Sequence, residues 1–196
     1  AVAPRFLRSV NLRNDWHNRS SADGYIVTPN VAQALERLSD GLLAENGQRA
    51  FALIGPYGTG KSAFAVFLCQ LLTRNAAATE HLDKALQGDN AYLRERFHAL
   101  CQPATGDNGY LLIPVTARRR PITQLLLEGL LDALKEMKQG ARVLDIRSRL
   151  EIAISAKNWT DTAVVVAFLG EIQREAKAQQ YAGVLLLVDE AGKTLE

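Results

Sequence analysis

The sequence has few of the residues that build disulfide-linked, zinc-binding or membrane-spanning proteins. Two of its 196 residues are cysteine and three are histidine. Cys69 lies in an apolar helical stretch, which predicts a buried thiol rather than a disulfide with Cys101. His17, His81 and His98 lack the spacing of metal ligands. A buried thiol suits a reducing compartment, so a cytoplasmic location is expected. No uninterrupted apolar run approaches roughly 20 residues, so no membrane span is predicted.

The chain also lacks a strong charge of either sign. Its 23 basic and 21 acidic residues give a net charge of +2, which argues neither for nor against nucleic acid. Hydrophobic residues make up 47% and charged residues 22%, as in ordinary globular proteins, which excludes a disordered chain. The length is enough for one domain with a good core.

The strongest signal is an octapeptide that fits G-x-x-x-x-G-K-[ST] at every fixed position. We call it the glycine loop: Gly55-Pro56-Tyr57-Gly58-Thr59-Gly60-Lys61-Ser62. The apolar run at residues 49–54 before it predicts a buried parallel strand, and the apolar run from Ala63 to Leu72 predicts a helix. A strand-to-helix turn without function is the alternative, but the strand–loop–helix context favours a phosphate site.

A glycine loop of this kind suits a polyanion. Successive backbone N–H groups can point inward, and the following helix adds its unpaired first-turn amides and dipole. Gly58 and Gly60 can adopt positive φ, Lys61 can reach the β- and γ-phosphates, and the Ser62 hydroxyl can bind Mg²⁺. The predicted nucleotide-binding residues are Gly55, Pro56, Tyr57, Gly58, Thr59, Gly60, Lys61, Ser62 and Ala63.

Two carboxylates, Asp189 and Glu190, follow an apolar run at residues 183–188 that reads as a strand. An aspartate at the end of a strand can hold Mg²⁺ through its water shell, and a neighbouring glutamate can polarise water as a general base. An acidic turn explains the pair equally well in isolation. Together with the glycine loop, the pair predicts a Mg²⁺-dependent ATPase in which Glu190 and Lys61 are the catalytic residues and Ser62 and Asp189 the metal ligands.

The two motifs resemble the Walker A and Walker B motifs of P-loop NTPases. The Asp189-Glu190 ending resembles the branch with an additional catalytic glutamate, which includes AAA+ and related signal-transduction ATPases. The resemblance implies a three-layer α/β fold with a mostly parallel sheet. It also implies ATP and Mg²⁺ as cofactors. Adenine is expected over guanine by this analogy, since no Asn-Lys-x-Asp motif is present.

Three segments further resemble the large multidomain ATPases of bacterial phage-defence islands. They are Arg5–Val10, Gly24–Pro29 and Asp189–Lys193. This resemblance implies a role in antiviral defence, with other domains of the same chain or oligomer partners.

The chain is expected to divide into an arm at residues 1–23 and a partial P-loop domain at 24–196. A helical insertion is predicted at about 74–109 and further helices at about 121–180. Arginines make the arm basic, which fits a solvated arm or a DNA contact. Tyr25-Ile26-Val27 fits either an adenine pocket or the core.

Local signals place several elements. Thr28 and Pro29 predict a helix start, and Asp161 predicts another. Residues 110–116 read as a strand, in which Pro114 predicts an edge position or a bulge. Arg118-Arg119-Arg120 at its end fits either a phosphate or neighbouring-subunit contact, or a solvated turn.

In the glutamate-bearing branch, the strands that carry the two motifs are separated in the sheet by a third strand, which comes later in the chain. The sequence stops at Glu196, just past Asp189-Glu190, before any such strand. The chain is therefore expected to be the N-terminal part of a larger ATPase. The alternative is direct pairing of the motif strands, with Leu53 beside Leu186.

The predicted function is ATP binding and hydrolysis that powers or switches a larger assembly. One alternative is a nucleotide-gated switch with little hydrolysis, and another is a DNA-associated motor or defence ATPase.

Overall fold

The structure is a computed structural model that describes residues 12–18, 21, 24–56, 58–73, 83–101 and 108–194. It divides into two compact units, Ala1–Ala104 and Thr105–Glu196. Helices and a parallel sheet make it a mixed α/β structure, as predicted. No helix among the described residues combines the length and apolar character that crossing a bilayer requires.

The first unit is built from helices. Their bounds are α1 Leu12–Asp15, α2 Pro29–Leu43, α3 Lys61–Thr73 and α4 Ala91–Leu100, with a 3₁₀ turn at Gly88–Asn90 before α4. Every residue from Phe64 to Leu72 is buried, so α3 is covered on all sides. Helices α1 and α4 pack against α3, and α4 also packs against α2. Helix α3 therefore forms the centre of this unit.

Sequence signals located these helices well. The Thr28 hydroxyl accepts a hydrogen bond from the Val31 amide at 3.4 Å and caps α2, with Pro29 at the first position, as predicted. In α4 the residues Leu93, Phe97 and Leu100, spaced as on one helical face, are buried. Cys69 and Cys101 are buried thiols that are not joined in a disulfide, and burial raises the pKa of Cys69.

The predicted buried strand at residues 49–54 is wrong. This segment has no regular secondary structure, and Leu53 and Ile54 are 46% and 95% exposed. A strand needs a neighbour for its backbone groups, and no described residue forms a backbone–backbone hydrogen bond with this segment. Arg49 instead donates to the carbonyls of Gly41 and Ala44 at the end of α2.

The second unit is a two-stranded parallel sheet with helices. Its elements are β1 Leu111–Thr116, α5 Ile122–Glu136, α6 Ala141–Ser155, α7 Thr162–Ala178 and β2 Val184–Asp189, with 3₁₀ turns at Asn158–Thr160 and Ala191–Thr194. The register runs from Leu111 opposite Val184 to Thr116 opposite Asp189. Both strands therefore end at the same edge of the sheet.

One face of β1 forms the core of this unit. Leu111, Ile113 and Val115 are buried with residues of α5, α6 and α7. Helix α5 lies close to the strand at Gly129, where a Cβ would stand 2.8 Å from Cγ2 of Val115. The helices cover β2 less completely, since Leu186 and Val188 stay more than a third exposed.

Most predictions for this unit are confirmed. The strands, the three helices and the Asp161 cap, which accepts from the Ala163 amide at 2.9 Å, lie where the sequence placed them. In the described part of the chain β1 pairs with β2 alone, so Pro114 lies in an edge strand. The register partner of Leu186 is Ile113, and Leu53 lies outside any strand, so the pairing of Leu53 with Leu186 is not observed.

Candidate phosphate-binding loop and strand-end carboxylates

The glycine loop leads into the buried helix α3. Residues 58–60 are exposed, whereas α3 is buried from its fourth residue onward. The first helical hydrogen bond runs from the Phe64 amide to the Gly60 carbonyl at 2.8 Å. In the first turn of a helix the backbone N–H groups point towards the helix N-terminus, which here is the glycine loop. The residues at 58–60 are thus accessible to a ligand and are held at the start of a packed helix.

Gly58 and Gly60 adopt the left-handed backbone conformation, with φ of 81° and 82°. A Cβ built on either glycine would meet no atom within 4 Å, so the space beside the main chain is open. Backbone geometry and free space together let an anion approach the main-chain amides. Tyr57, another predicted member of the site, lies outside the described residues.

The Lys61 side chain folds across the glycine loop. Its Nζ donates to the carbonyl oxygens of Gly55 and Pro56 at 2.8 and 2.7 Å. The Thr59 hydroxyl donates to the same Pro56 carbonyl at 2.9 Å. The positive charge of the Lys61 ammonium therefore lies at the centre of the loop, where it can attract a phosphate group.

Ser62 and Ala63 complete the predicted nucleotide-binding set. Both are half-buried in the first turn of α3, next to Lys61. The helix N-terminus gives this turn a partial positive charge. A serine hydroxyl at this point is an oxygen donor of the type that Mg²⁺ prefers.

Tyr25 packs against the helix of the glycine loop. Its ring stacks on Phe67 with centroids 4.5 Å apart, and partial burial raises its pKa. The neighbouring Ile26 is 77% exposed, and Val27 is half-buried. Tyr25 thus has the packing role that was one of its two predicted roles.

The carboxylates Asp189 and Glu190 lie at the end of β2 in the second unit. The Asp189 Oδ1 atom accepts a hydrogen bond from the Glu190 amide at 2.9 Å. Glu190 is exposed and has φ of 58°, a conformation that non-glycine residues seldom adopt. Such strained backbone is concentrated at functional sites.

The arginines after β1 end at the same edge of the sheet. Arg120 forms an ion pair with Glu128 on α5, with Nη1 3.2 Å from Oε2. Arg118 and Arg119 are exposed. Arg120 therefore pairs with the helix that follows it, and this ion pair explains the position of its side chain without a ligand.

Sequence reasoning overlooked Thr116, the last residue of β1. Its hydroxyl oxygen is shielded from solvent and has no hydrogen-bond partner among the described residues. A polar residue that ends an apolar strand is the signal that marks it, as it marked Asp189.

No protein-family model, curated protein or solved structure matches this chain.

Proposed function

We propose that the chain is an ATP-binding and ATP-hydrolysing module of the P-loop type, with the three-layer fold that its motifs imply. The observation that carries the proposal is the glycine loop itself. Two glycines with positive φ border open space, beside a lysine ammonium and at the start of a 13-residue helix. Backbone amides, helix dipole and ammonium all favour one kind of ligand, a phosphate chain.

Lys61 and the loop amides bind the phosphates in this proposal. The ammonium exchanges its contacts with the Gly55 and Pro56 carbonyls for contacts with phosphate oxygens, which carry a full negative charge. A carbonyl oxygen carries only a partial negative charge, so Coulomb attraction favours the phosphate as the partner of the ammonium.

The motifs assign Mg²⁺ to Ser62 and to Asp189, and the ion, when bound, would offset charge on the phosphates. Each residue by itself offers a hard oxygen ligand, a hydroxyl or a carboxylate, of the kind that Mg²⁺ prefers. The hydrogen bond from the Glu190 amide fixes one oxygen of the Asp189 carboxylate and thus its direction.

Glu190 orients the attacking water and accepts its proton. Its exposed side chain follows the last residue of β2 on a backbone bend with φ of 58°. Hydrolysis then depends mainly on positioning and charge stabilisation rather than on covalent chemistry. We propose that this hydrolysis powers or switches a larger assembly, formed with other domains or with further subunits.

The test is binding of a fluorescent ATP analogue, followed by steady-state hydrolysis, for the wild type and the Lys61→Ala variant. We expect Mg²⁺-dependent binding by the wild type and at least a hundredfold weaker binding by the variant. Competition with GTP measures the preference for adenine. Equal binding by both proteins would overturn the proposal, since the analogue would then bind elsewhere.

A further inference from the structure

The hydroxyl of Thr116 is buried without a hydrogen-bond partner among the described residues. Leaving a polar group shielded from water and unpaired destabilises a fold, so native proteins contain few such groups. Two other side-chain atoms of the described residues share this condition, Gln70 Oε1 and Arg96 Nε, and both belong to the first unit. Thr116 alone lies at the end of a strand beside the carboxylates.

Thr116 is the register partner of Asp189. Neighbouring strands are about 4.8 Å apart, and paired residues of parallel strands project from the same face of the sheet. The strand ends are also joined by a hydrogen bond from the Ala117 amide to the Asp189 carbonyl at 2.9 Å. The Thr116 and Asp189 side chains therefore start from adjacent positions on one face of the sheet.

We propose that Thr116 is a positioning residue for the metal-binding carboxylate of Asp189, an inference that rests on the proposed function. When Mg²⁺ and nucleotide bind, the Thr116 hydroxyl donates to one carboxylate oxygen, while the Glu190 amide donates to Oδ1. Two donors from two directions hold the carboxylate in one rotamer. Groups that orient a metal ligand in this way commonly change metal affinity by 10- to 100-fold.

A valine substitution distinguishes a metal-dependent role of Thr116 from a purely structural one. Valine has the shape of threonine without the hydroxyl, so Thr116→Val removes a buried unpaired group and keeps the packing. The apo protein should then be at least as stable as the wild type. A hydroxyl that acts only when the metal is bound would show its effect only in the presence of Mg²⁺.

The experiment measures binding of a non-hydrolysable fluorescent ATP analogue during Mg²⁺ titration, together with urea unfolding of the apo protein. The variants are Thr116→Val and Thr116→Ser, with Lys61→Ala as the control that loses nucleotide binding. For Thr116→Val we expect apo stability at least equal to that of the wild type, unchanged nucleotide binding in EDTA, and a 10- to 100-fold higher Mg²⁺ concentration at half-saturation. Thr116→Ser keeps the hydroxyl and should remain within threefold of the wild type.

Each other outcome counts against the inference in a distinct way. If the wild type responds to Mg²⁺ and Thr116→Val responds identically, the inference fails and the proposed function stands. Equal losses in Thr116→Val and Thr116→Ser, accompanied by lower apo stability, would show that Thr116 only packs. If the wild type binds no nucleotide, the proposed function fails and the inference fails with it.

Discussion

The ammonium nitrogen of Lys61 lies 2.8 Å from the carbonyl oxygen of Gly55, the first glycine of its own loop. The bond spans six residues and closes the loop over exposed backbone. Because water replaces the ammonium easily at an exposed carbonyl, the bond contributes little to folding. Its importance lies in holding a cation where the proposed phosphates bind.

We therefore expect Lys61→Ala to change the apo unfolding free energy by less than about 0.5 kcal/mol, as is usual for surface substitutions. Mg²⁺ and ATP at about 100 times the wild-type Kd should raise wild-type stability by about 2.7 kcal/mol and that of the variant by no more than about 0.4 kcal/mol. Urea unfolding with and without nucleotide measures both effects.

Lys135→Ala is the control for this loss of a lysine. It removes an exposed ion pair with Asp132 on α5, so a small loss of stability and a full response to nucleotide are expected. A large loss of apo stability in Lys61→Ala would show instead that the lysine holds the loop together structurally.

Glu190 allows stability and hydrolysis to be separated. Glu190→Gln removes the base but keeps the shape, so we expect unchanged nucleotide affinity and loss of hydrolysis. Glu190→Gly also loses hydrolysis, but it relieves the strain at φ of 58° and should raise stability by about 0.5–1 kcal/mol. Phosphate release and urea unfolding measure the two effects.

Lys157 is the matched control, since its φ of 59° is nearly that of Glu190. Lys157→Gly should give the same gain in stability with full hydrolysis. Unchanged turnover in Glu190→Gln would remove Glu190 from the catalytic assignment.

The sequence located elements whose stabilising contacts are local or periodic. Thr28 and Asp161 cap the helices they were predicted to cap, because a side-chain oxygen within two or three residues of an amide needs no distant partner. The buried face of α4 follows from helical spacing. The positive φ at Gly58 and Gly60 was likewise expected from the glycine loop.

Residues 49–54 show that a local apolar pattern is not enough to predict a strand. Their apolar pattern predicts a buried strand, but a strand exists only where a neighbouring strand pairs with it. The side chain of Phe51 packs on Gly41 instead, and Ile54 remains exposed. The position of Thr116 at the end of an apolar run is visible in the sequence, but its lack of a hydrogen-bond partner among the described residues depends on the register of β1 with β2.

The glycines of the loop should be sensitive through their backbone conformation. Gly58→Ala or Gly60→Ala forces a side chain into the left-handed region, at about 1–2 kcal/mol, and fills the space beside the amides. We expect at least tenfold weaker ATP binding. Gly88→Ala, at φ of 60° with no atom within 4 Å, carries the same strain and should keep full affinity. Calorimetry compares the three, and weakened binding in Gly88→Ala would point to a general loss of folding.

Two helical glycines of the second unit should respond to alanine in opposite directions. At Gly129 a new Cβ would stand 2.8 Å from Cγ2 of Val115, so overpacking should lower stability by about 1–3 kcal/mol. At Gly170 on α7 the nearest atom is 3.6 Å away, so helix propensity should raise stability by about 0.5–1 kcal/mol. Urea unfolding decides both signs, and equal effects would contradict the close approach of α5 to β1.

The ion pair that joins α6 to α7 should make the free energy of unfolding depend on pH. The Arg149 guanidinium lies 3.1 Å from Oε1 of Glu171, bonds to both carboxylate oxygens, and lowers the pKa of Glu171. A carboxylate with a lowered folded-state pKa stabilises the fold above its unfolded pKa of about 4.3, and the contribution disappears as pH falls through the folded value.

Glu171→Gln should therefore reduce the unfolding free energy by about 0.5–1 kcal/mol at pH 7. The difference from the wild type should shrink steadily below about pH 4, as protonation removes the same charge from the wild type. Glu151→Gln is the control, because its partner Arg147 lies on the same helix and the pair joins no second element. A difference between the Glu171→Gln variant and the wild type that persists undiminished in acid would assign the stabilisation to packing rather than to charge.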